Sequence, residues 1–275
     1  MSNQQLIAGS NRFETLGVTS GDGTAVTAGN PAGTKGTAVS LGTTSFRYSG
    51  FLVNFVGTSA ARYRLDILAN TGGSDQVIVE DVYLDANPGA TSVTFSVDLP
   101  VGIPAGAAVK ARISSSTASV GARVSLMGFM GAPAADPGFR ALKSCTDWST
   151  FEPSNLLNWS ASAVGQQPWV TLCNSTPARI AGLFLFPTMA GLSTSRTASR
   201  MTLDVGWGAA GSEQVLFGGI EMSLAAGGPA YLDIGMVPCD LPAGIRLAWR
   251  TYLVTTQANA TGFGMSAAGA AVGSA

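Results

Sequence analysis

Charged residues recur along this chain at fixed separations, and they are the first candidates for chemistry. A carboxylate beside an arginine in two copies could form two equivalent sites. The other interpretation is that a duplicated fold keeps the charges it needs: an exposed charge on a strand, a turn residue, and an arginine whose stem packs across a sheet. We favour the second interpretation. The recurring pairs are Asp66/Asp204, Asp75/Glu213 and Arg112/Arg250, all at one spacing of 138 in the numbering, which we call the repeat spacing, and Arg47/Arg179, at a slightly shorter spacing of 132.

A second candidate is the acidic group Glu80, Asp81 and Asp85. Clustered carboxylate oxygens can coordinate calcium. The alternative is a solvated strand edge whose charges discourage pairing with the wrong strand, and we favour that alternative. A calcium site would exist in one copy only, because the positions that match at the repeat spacing are Gly218, Gly219 and Ser223.

The sequence offers little for catalysis or for a metal. It contains no histidine, which removes the commonest general base and the commonest metal ligand. Serine and threonine need an activating base to act as nucleophiles, and Lys35, Lys110 and Lys143 lie in no recognisable motif. No G-x-S-x-G elbow, phosphate-binding loop or obvious pair of catalytic acids is present. We therefore predict a protein that is not an enzyme and that has no cofactor, catalytic residues or bound metal.

All five tryptophans lie in the second half of the chain. An exposed tryptophan on a sheet would suggest stacking on a sugar or an interface hot spot. Trp249 occupies the position of the inward-facing Ala111 and is expected in the core. Trp207, between Gly206 and Gly208, is the candidate for an exposed glycan or interface contact.

The constant repeat spacing reflects an internal duplication. Leu-Asp-Ile at 65–67 is answered by Leu-Asp-Val at 203–205, and Ile-Pro-Ala-Gly at 103–106 by Leu-Pro-Ala-Gly at 241–244. This predicts two domains of about 130 residues, a size that can bury a core. The predicted boundaries are residues 1–131 for the first domain, 132–140 for a Pro/Gly linker, and 141–275 for the second domain.

Composition limits the partners. Charged residues make up 11 % of the chain and the formal net charge is −1, so there is no basic surface for nucleic acid. No apolar run approaches the ~20 residues of a membrane-spanning helix. We read the low charge as a surface that becomes covered by assembly with copies of the chain. The N-terminus lacks the pattern of a signal peptide, which predicts synthesis in a cytoplasm.

The three cysteines, Cys145, Cys173 and Cys239, are expected to be mainly buried thiols, with one disulfide as the alternative.

Short alternating strands separated by Gly, Pro and Asn turns predict an all-β fold. Residues 50–56, 63–68, 76–84, 93–99, 109–113 and 124–129 are the predicted strands of the first half. No window shows a helical period. The predicted fold is two tandem antiparallel β-sandwich domains of jelly-roll type. Residues 19–44, rich in Thr, Gly and Ala, are expected to form a long loop that leads into a strand near 37–41 and is ordered by partners. The tail 266–275 is expected to fray or to enter an interface.

One segment resembles a known class of proteins. Residues 98–106 read Asp-Leu-Pro-Val-Gly-Ile-Pro-Ala-Gly and are followed by Ala111-Arg112; residues 240–244 read Asp-Leu-Pro-Ala-Gly and are followed by Trp249-Arg250. This is similar to a corner found in structural proteins of tailed bacteriophages, in which the domain is a β-sandwich. The resemblance covers about fifty residues of each half. The second copy departs from it at Cys239 and Trp249.

The resemblance implies a non-enzymatic virion component, such as a head-decoration, neck or tail-appendage protein. Its partners would be copies of itself and other virion proteins of the capsid or tail, and its location the virion. The alternative is a receptor- or carbohydrate-binding module of a phage tail that binds a host-surface glycan.

Overall fold

The computed structural model describes residues 12–18, 23–59, 61–70, 72–85, 93–99, 101–130, 139–148, 165–189, 199–224, 236–253 and 263–272. In these ranges the regular structure is entirely β, and no helix able to span a lipid bilayer is found there. The strands of the first half are β1 (Arg12–Leu16), β2 (Thr24–Thr27), β3 (Val39–Thr43), β4 (Gly50–Gly57), β5 (Arg62–Asn70), β6 (Gln76–Asp85), β7 (Val93–Leu99), β8 (Ala108–Ser115) and β9 (Gly121–Met130).

The second half repeats this plan. Its strands are β10 (Phe139–Ser144), β11 (Gly165–Gln166), β12 (Val170–Cys173), β13 (Ile180–Met189), β14 (Ser199–Trp207), β15 (Gln214–Leu224), β16 (Met236–Leu241), β17 (Leu247–Leu253) and β18 (Phe263–Val272).

Each half has the strand order of a jelly roll. In the first, an N-terminal sheet runs β1–β9–β4–β7, with β2 also paired to β9, and faces strands ordered β6–β5–β8–β3. In the second, strands ordered β16–β13–β18–β10 face a C-terminal sheet that runs β11–β17–β14–β15, with β12 also paired to β17. Two interleaved four-stranded sets of this kind define the jelly roll. The predicted fold class, tandem β-sandwiches of jelly-roll type, is confirmed, and we call the halves the first and second modules.

The two modules share a sheet. Strand β10 of the second module pairs in parallel with β6 of the first, with Leu142 opposite Val79. Eight strands thereby form one sheet, β16–β13–β18–β10–β6–β5–β8–β3, which we call the shared sheet. The predicted linker 132–140 lies outside the described residues except for 139–140, which begin β10. The predicted domain boundaries remain a prediction.

Two hydrophobic clusters lie on opposite sides of the shared sheet. The second cluster is centred on Trp249 and includes Leu183 and Leu185 of β13. The neighbouring Phe184 and Phe186 point to the other side and belong to the first cluster, which also holds the core of the first module. Alternation along β13 therefore places successive residues in different cores. Strand β18 is buried on both faces in the same way: Ala268 and Ala270 belong to the first cluster, and Ala267 and Ala271 to the second.

The Ile/Leu-Pro-Ala-Gly corner is held in the same way in both modules. Thr44 Oγ1 donates to the carbonyl of Pro104 at 2.7 Å and accepts from the amide of Ala107 at 3.0 Å. Thr176, its counterpart in the second module, makes the equivalent bonds to Pro242 at 2.8 Å and from Ile245 at 3.0 Å. A buried threonine thus satisfies one acceptor and one donor in each corner. The shared geometry supports the duplication independently of sequence.

The structure corrects the expectation that Asp66 is an exposed strand charge. Asp66 is 1 % exposed. Its carboxylate accepts from Lys35 Nζ at 2.6 Å, from Arg112 Nε at 2.8 Å and from the amide of Asp81 at 2.9 Å. Lys35 comes from the loop between β2 and β3, which covers this face of the sheet. Because a buried carboxylate needs compensating donors, these three contacts stabilise it there.

Strand β6 is not the solvated edge predicted for Glu80, Asp81 and Asp85. It pairs with β10, and Glu80 accepts from the amide of Ser144 at 3.4 Å. Asp81 forms an ion pair with Lys35 at 2.6 Å. Glu80 therefore bonds across the junction between modules and Asp81 is paired within the first module. Sequence alone could not reveal the junction, because the partner strand is distant along the chain.

Two low-complexity segments also differ from expectation. Residues 23–44 contain strands β2 and β3, and the loop between them is bound within the chain: the amides of Gly33 and Gly36 donate to the carbonyls of Ser115 and Ile113 at 2.8 Å. At the other end, Phe263–Val272 is a central strand between β13 and β10. Small residues are required there, since a Cβ on Gly269 would lie 2.4 Å from Ile180 Cδ1.

We expect Asp66→Ala to lower the free energy of unfolding by about 3 kcal/mol, because it leaves the Lys35 and Arg112 charges without their buried partner. Asp204→Ala, at the matched and more open position of the second module, is expected to cost about 1 kcal/mol or less. Chemical denaturation of both variants measures the difference. Equal losses would contradict the difference in burial.

The pH dependence of stability provides a second test of the ion pairs of Asp66. Burial alone would raise the pKa of Asp66, but the Lys35 ammonium and the other donors lower it below its ordinary value. A lowered folded-state pKa stabilises the fold above the unfolded value of about 3.9, and this contribution is lost as the pH falls below it. The free energy of unfolding of Asp66→Asn should therefore decrease less steeply below about pH 4 than that of the wild type. If the free energy of unfolding of the two proteins decreased equally steeply below pH 4, the lowered pKa of Asp66 would be contradicted.

Candidate binding face of the second module

The C-terminal sheet carries the second copy of the carboxylate–arginine pair on its outer surface. Arg250 Nε on β17 donates to Asp204 Oδ2 on β14 at 2.9 Å. Asp204 Oδ1 accepts from the amide of Gly219 at 3.0 Å. Gly219 has a positive φ of 73°, as Asp81 does (52°) at the matched position of the first module. Both copies thus use one carboxylate to connect a bulged strand to its neighbours.

The indole of Trp169 lies beside this pair. Arg250 Cζ is 4.2 Å from the centroid of the Trp169 ring, which is a cation–π contact. Gly206 permits this arrangement, because a Cβ there would lie 2.8 Å from the far edge of the indole. Trp169 itself is half-buried. The aromatic ring is therefore fixed against both the sheet and the guanidinium.

Polar and aromatic residues continue this surface along the strands. Tyr252 is opposite Thr202 on β14 and opposite Gln166 on β11. Tyr252 is 47 % exposed. The Gln166 amide, oriented with its oxygen toward Arg250, accepts from Nη1 at 3.0 Å and from Nη2 at 2.9 Å. We call this surface the outer platform; it consists of Gln166, Trp169, Thr202, Asp204, Arg250 and Tyr252.

The matched surface of the first module is closed. Trp148, which follows β10, stacks on Tyr83 with ring centroids 5.6 Å apart. Arg64 Cζ lies 4.8 Å from the centroid of the same indole. In the second module the position of Arg64 is taken by Thr202, and the Asp204 side chain is 22 % exposed against 2 % for Asp66. Of the two carboxylates, that of Asp204 is therefore the one that a ligand can reach.

The outer platform is suited to binding. Its rigid aromatic groups and its charge-assisted hydrogen bonds are features of recognition sites. No histidine exists in the chain to act as a general base, and in the described ranges no group of three or more His, Cys, Asp or Glu side chains is arranged to hold a metal ion.

The three cysteines are free thiols, and burial raises the pKa of both Cys173 and Cys239 to about 11. They are therefore mainly protonated near neutral pH.

Trp207 lies on the other side of the sheet. It follows Leu203 and Val205 in the inward-facing register of β14 and packs, half-buried, against the second core. Its role as a glycan or interface contact stays a prediction. Trp249 is fully buried, as expected. Trp159 lies outside the described residues.

Sequence reasoning missed Trp169 and Tyr252. The duplication contained a signal for Tyr252, since a residue two positions after Arg250 on a strand shares its face. The matched residue in the first module, Ser114, is buried. For Trp169 the only signal was Gly206, the glycine on which the indole rests.

Comparison with known proteins gives no family. No protein-family model matches the chain, and no curated protein sequence matches it. The N-terminal CBM22-1-CBM22-2 tandem domain of Paenibacillus barcinonensis Xyn10C is a similar solved structure, with 12 % identity, coverage of 95 % of this chain and 91 % of that one, and a TM-score of 0.29. The tandem CBM51 modules of Sp3GH98, a family 98 glycoside hydrolase from Streptococcus pneumoniae SP3-BS71, match with 11 % identity, 90 % and 83 % coverage, and a TM-score of 0.22. Similarity this distant says nothing about what the chain binds.

Proposed function

We propose that this chain is a non-catalytic binding protein whose second module binds a carbohydrate on the outer platform. One observation carries the proposal: Trp169 and the exposed Tyr252 share a sheet face with the partly exposed Asp204–Arg250 pair.

A sugar ring matches this combination. Its C–H face is apolar and packs on aromatic rings, while its hydroxyl groups both donate and accept hydrogen bonds at the rim. Tyr252 supplies an exposed ring, and Asp204 and Arg250 supply acceptors and donors beside it. The ion pair, the cation–π contact and the Gly219 amide hold Trp169, Asp204 and Arg250 in place before a ligand arrives, which reduces the entropy lost on binding.

The shape of the surface agrees with this proposal. In the first module, the large side chains of Arg64 and Tyr83 cover the corresponding area together with Trp148. In the second module Thr202 replaces Arg64, and Gly218 and Gly219 flank Asp204. A Cβ on Gly218 would lie 2.6 Å from Asp204 Oδ1. Small residues thus leave the carboxylate room on the side that a ligand would approach.

A second candidate is a structural subunit of a bacteriophage virion that assembles with its own copies and with capsid or tail proteins. Phe13 on the edge strand β1, 63 % exposed, and Val18 just beyond the end of that strand, 55 % exposed, favour this candidate. Large apolar side chains exposed along one edge are a feature of contacts with another protein. The assignment to a virion rests on the Pro-Gly corner resemblance.

Carbohydrate binding is tested by a glycan array with the full chain, followed by calorimetry on a positive glycan. We expect Tyr252→Ala to weaken binding at least about tenfold, equivalent to about 1.4 kcal/mol, through loss of the stacking surface. Trp207→Phe is the control, because it changes a core-side tryptophan and leaves the outer platform intact. Normal binding by Tyr252→Ala with loss in Trp207→Phe would move the site to Trp207, and the absence of any glycan ligand would overturn the proposal.

The virion candidate predicts that the chain copurifies with intact phage particles through a density gradient, in fixed stoichiometry to a capsid or tail protein. Quantitative mass spectrometry of gradient fractions measures that ratio. Recovery of the chain solely in the soluble fraction would rule out this candidate and leave the carbohydrate proposal untouched.

A further inference from the structure

At the centre of the contact between modules lies one buried pair of residues on adjacent strands. Leu142 of β10 and Val79 of β6 are register partners in the parallel strand pair, and both are 0 % exposed. Strand β10 is the first strand of its jelly roll, and β6 is the outermost strand of the preceding one. The junction therefore joins a leading edge of one module to a trailing edge of another.

The duplication supplies a second copy of each edge. In the first module, β1 has the place of β10: Glu14 pairs with Gly128 as Lys143 pairs with Gly269. The two glycines are equivalent, since a Cβ on Gly128 would meet Tyr48 and one on Gly269 would meet Ile180, the counterpart of Tyr48 in the second module. It follows that Phe13 is the counterpart of Leu142.

The trailing edge repeats at β15. The register of β14 with β15 copies that of β5 with β6 at the repeat spacing, including the irregularities: Ile67 pairs with Val79, and Val205 pairs with Phe217. Phe217 is therefore the counterpart of Val79.

Both counterparts are more exposed than the residues of the internal junction. Phe13 is 63 % exposed, whereas Leu142 is fully buried. Phe217 is half-buried, whereas Val79 is fully buried, and Val215, two residues before Phe217 on β15, is 52 % exposed. Within the described ranges, β1 and β15 are terminal strands of their sheets. Three apolar side chains thus mark two unpaired edges of matching origin.

We propose that copies of this chain associate head to tail, with β1 of one copy pairing in parallel with β15 of the next and Phe13 packing against Phe217. The contact repeats between molecules the junction that already exists within one. The inference is independent of carbohydrate binding and gives the assembly candidate a specific interface.

Such an interface joins two different surfaces, so it produces a ring or an open filament instead of a closed two-fold dimer. It is smaller than the internal junction. The Glu80 bond to the Ser144 amide has no equivalent, because Gly218 stands at the matched position. The Trp148 stack on Tyr83 has none on the trailing edge either, since Glu221 replaces Tyr83. We therefore expect association that depends on concentration.

The test uses sedimentation velocity of the full chain over a concentration series, with one lysine introduced at each edge. Phe13→Lys blocks the β1 edge and Val215→Lys blocks the β15 edge, because an edge lysine opposes strand pairing. The matched control is Val272→Lys, at an exposed strand end away from both edges. Thermal denaturation verifies that all three variants remain folded.

We expect the wild type and Val272→Lys to self-associate and both edge variants to be monomers. Mixing the two edge variants should restore a 1:1 dimer and nothing larger, because each partner keeps one functional edge. A wild type that stays monomeric over the whole series would overturn the proposal, as would association insensitive to either lysine or a mixture that forms no dimer. Glycan binding by monomeric Phe13→Lys distinguishes failure of this inference from failure of the carbohydrate proposal.

Discussion

One carboxylate on the fifth strand of each module holds three neighbouring strands together. Asp66 and Asp204 each accept one bond from an arginine on the neighbouring strand and one from the amide of a left-handed residue on the strand at the other side. A single side chain thereby connects three strands and satisfies the donor that the bulge would otherwise leave unpaired. Its retention in both modules at the repeat spacing follows from this role.

The same carboxylate–arginine pair has different surroundings in the two modules. In the first, Lys35 adds a third donor group and the loop that carries it covers the carboxylate. In the second, Trp169 replaces the lysine as the neighbour of the pair and leaves part of it in solvent. Burial makes the first copy a contributor to stability, and exposure makes the second a candidate for recognition. The backbone requirement is the same in both.

Much of the fold could be predicted from periodicity. The strand predicted at 93–99 matches β7 at both ends, because strict alternation of apolar and polar residues is the clearest sequence signal of a strand. Phe263–Val272 escaped prediction because both of its faces are packed, so alternation gives way to Ala and Gly. The burial of Arg64 and Asp66 escaped it as well, since their cover comes from Lys35 and Trp148, distant in sequence. Only part of the candidate site could be predicted. The duplication identified Asp204 and Arg250. Trp169, the aromatic residue beside them, has no matching tryptophan in the first module, so the duplication could not identify it.

The shared sheet has a mechanical consequence. Phe184 and Phe186 of the second module enter the hydrophobic cluster of the first, and Leu142 of β10 is buried in the same cluster against β6. Rotation of one module about the other would pull these side chains into water, so the junction resists hinge motion. We therefore expect the two modules to move as one rigid body, so that a force applied to one module also reorients the other.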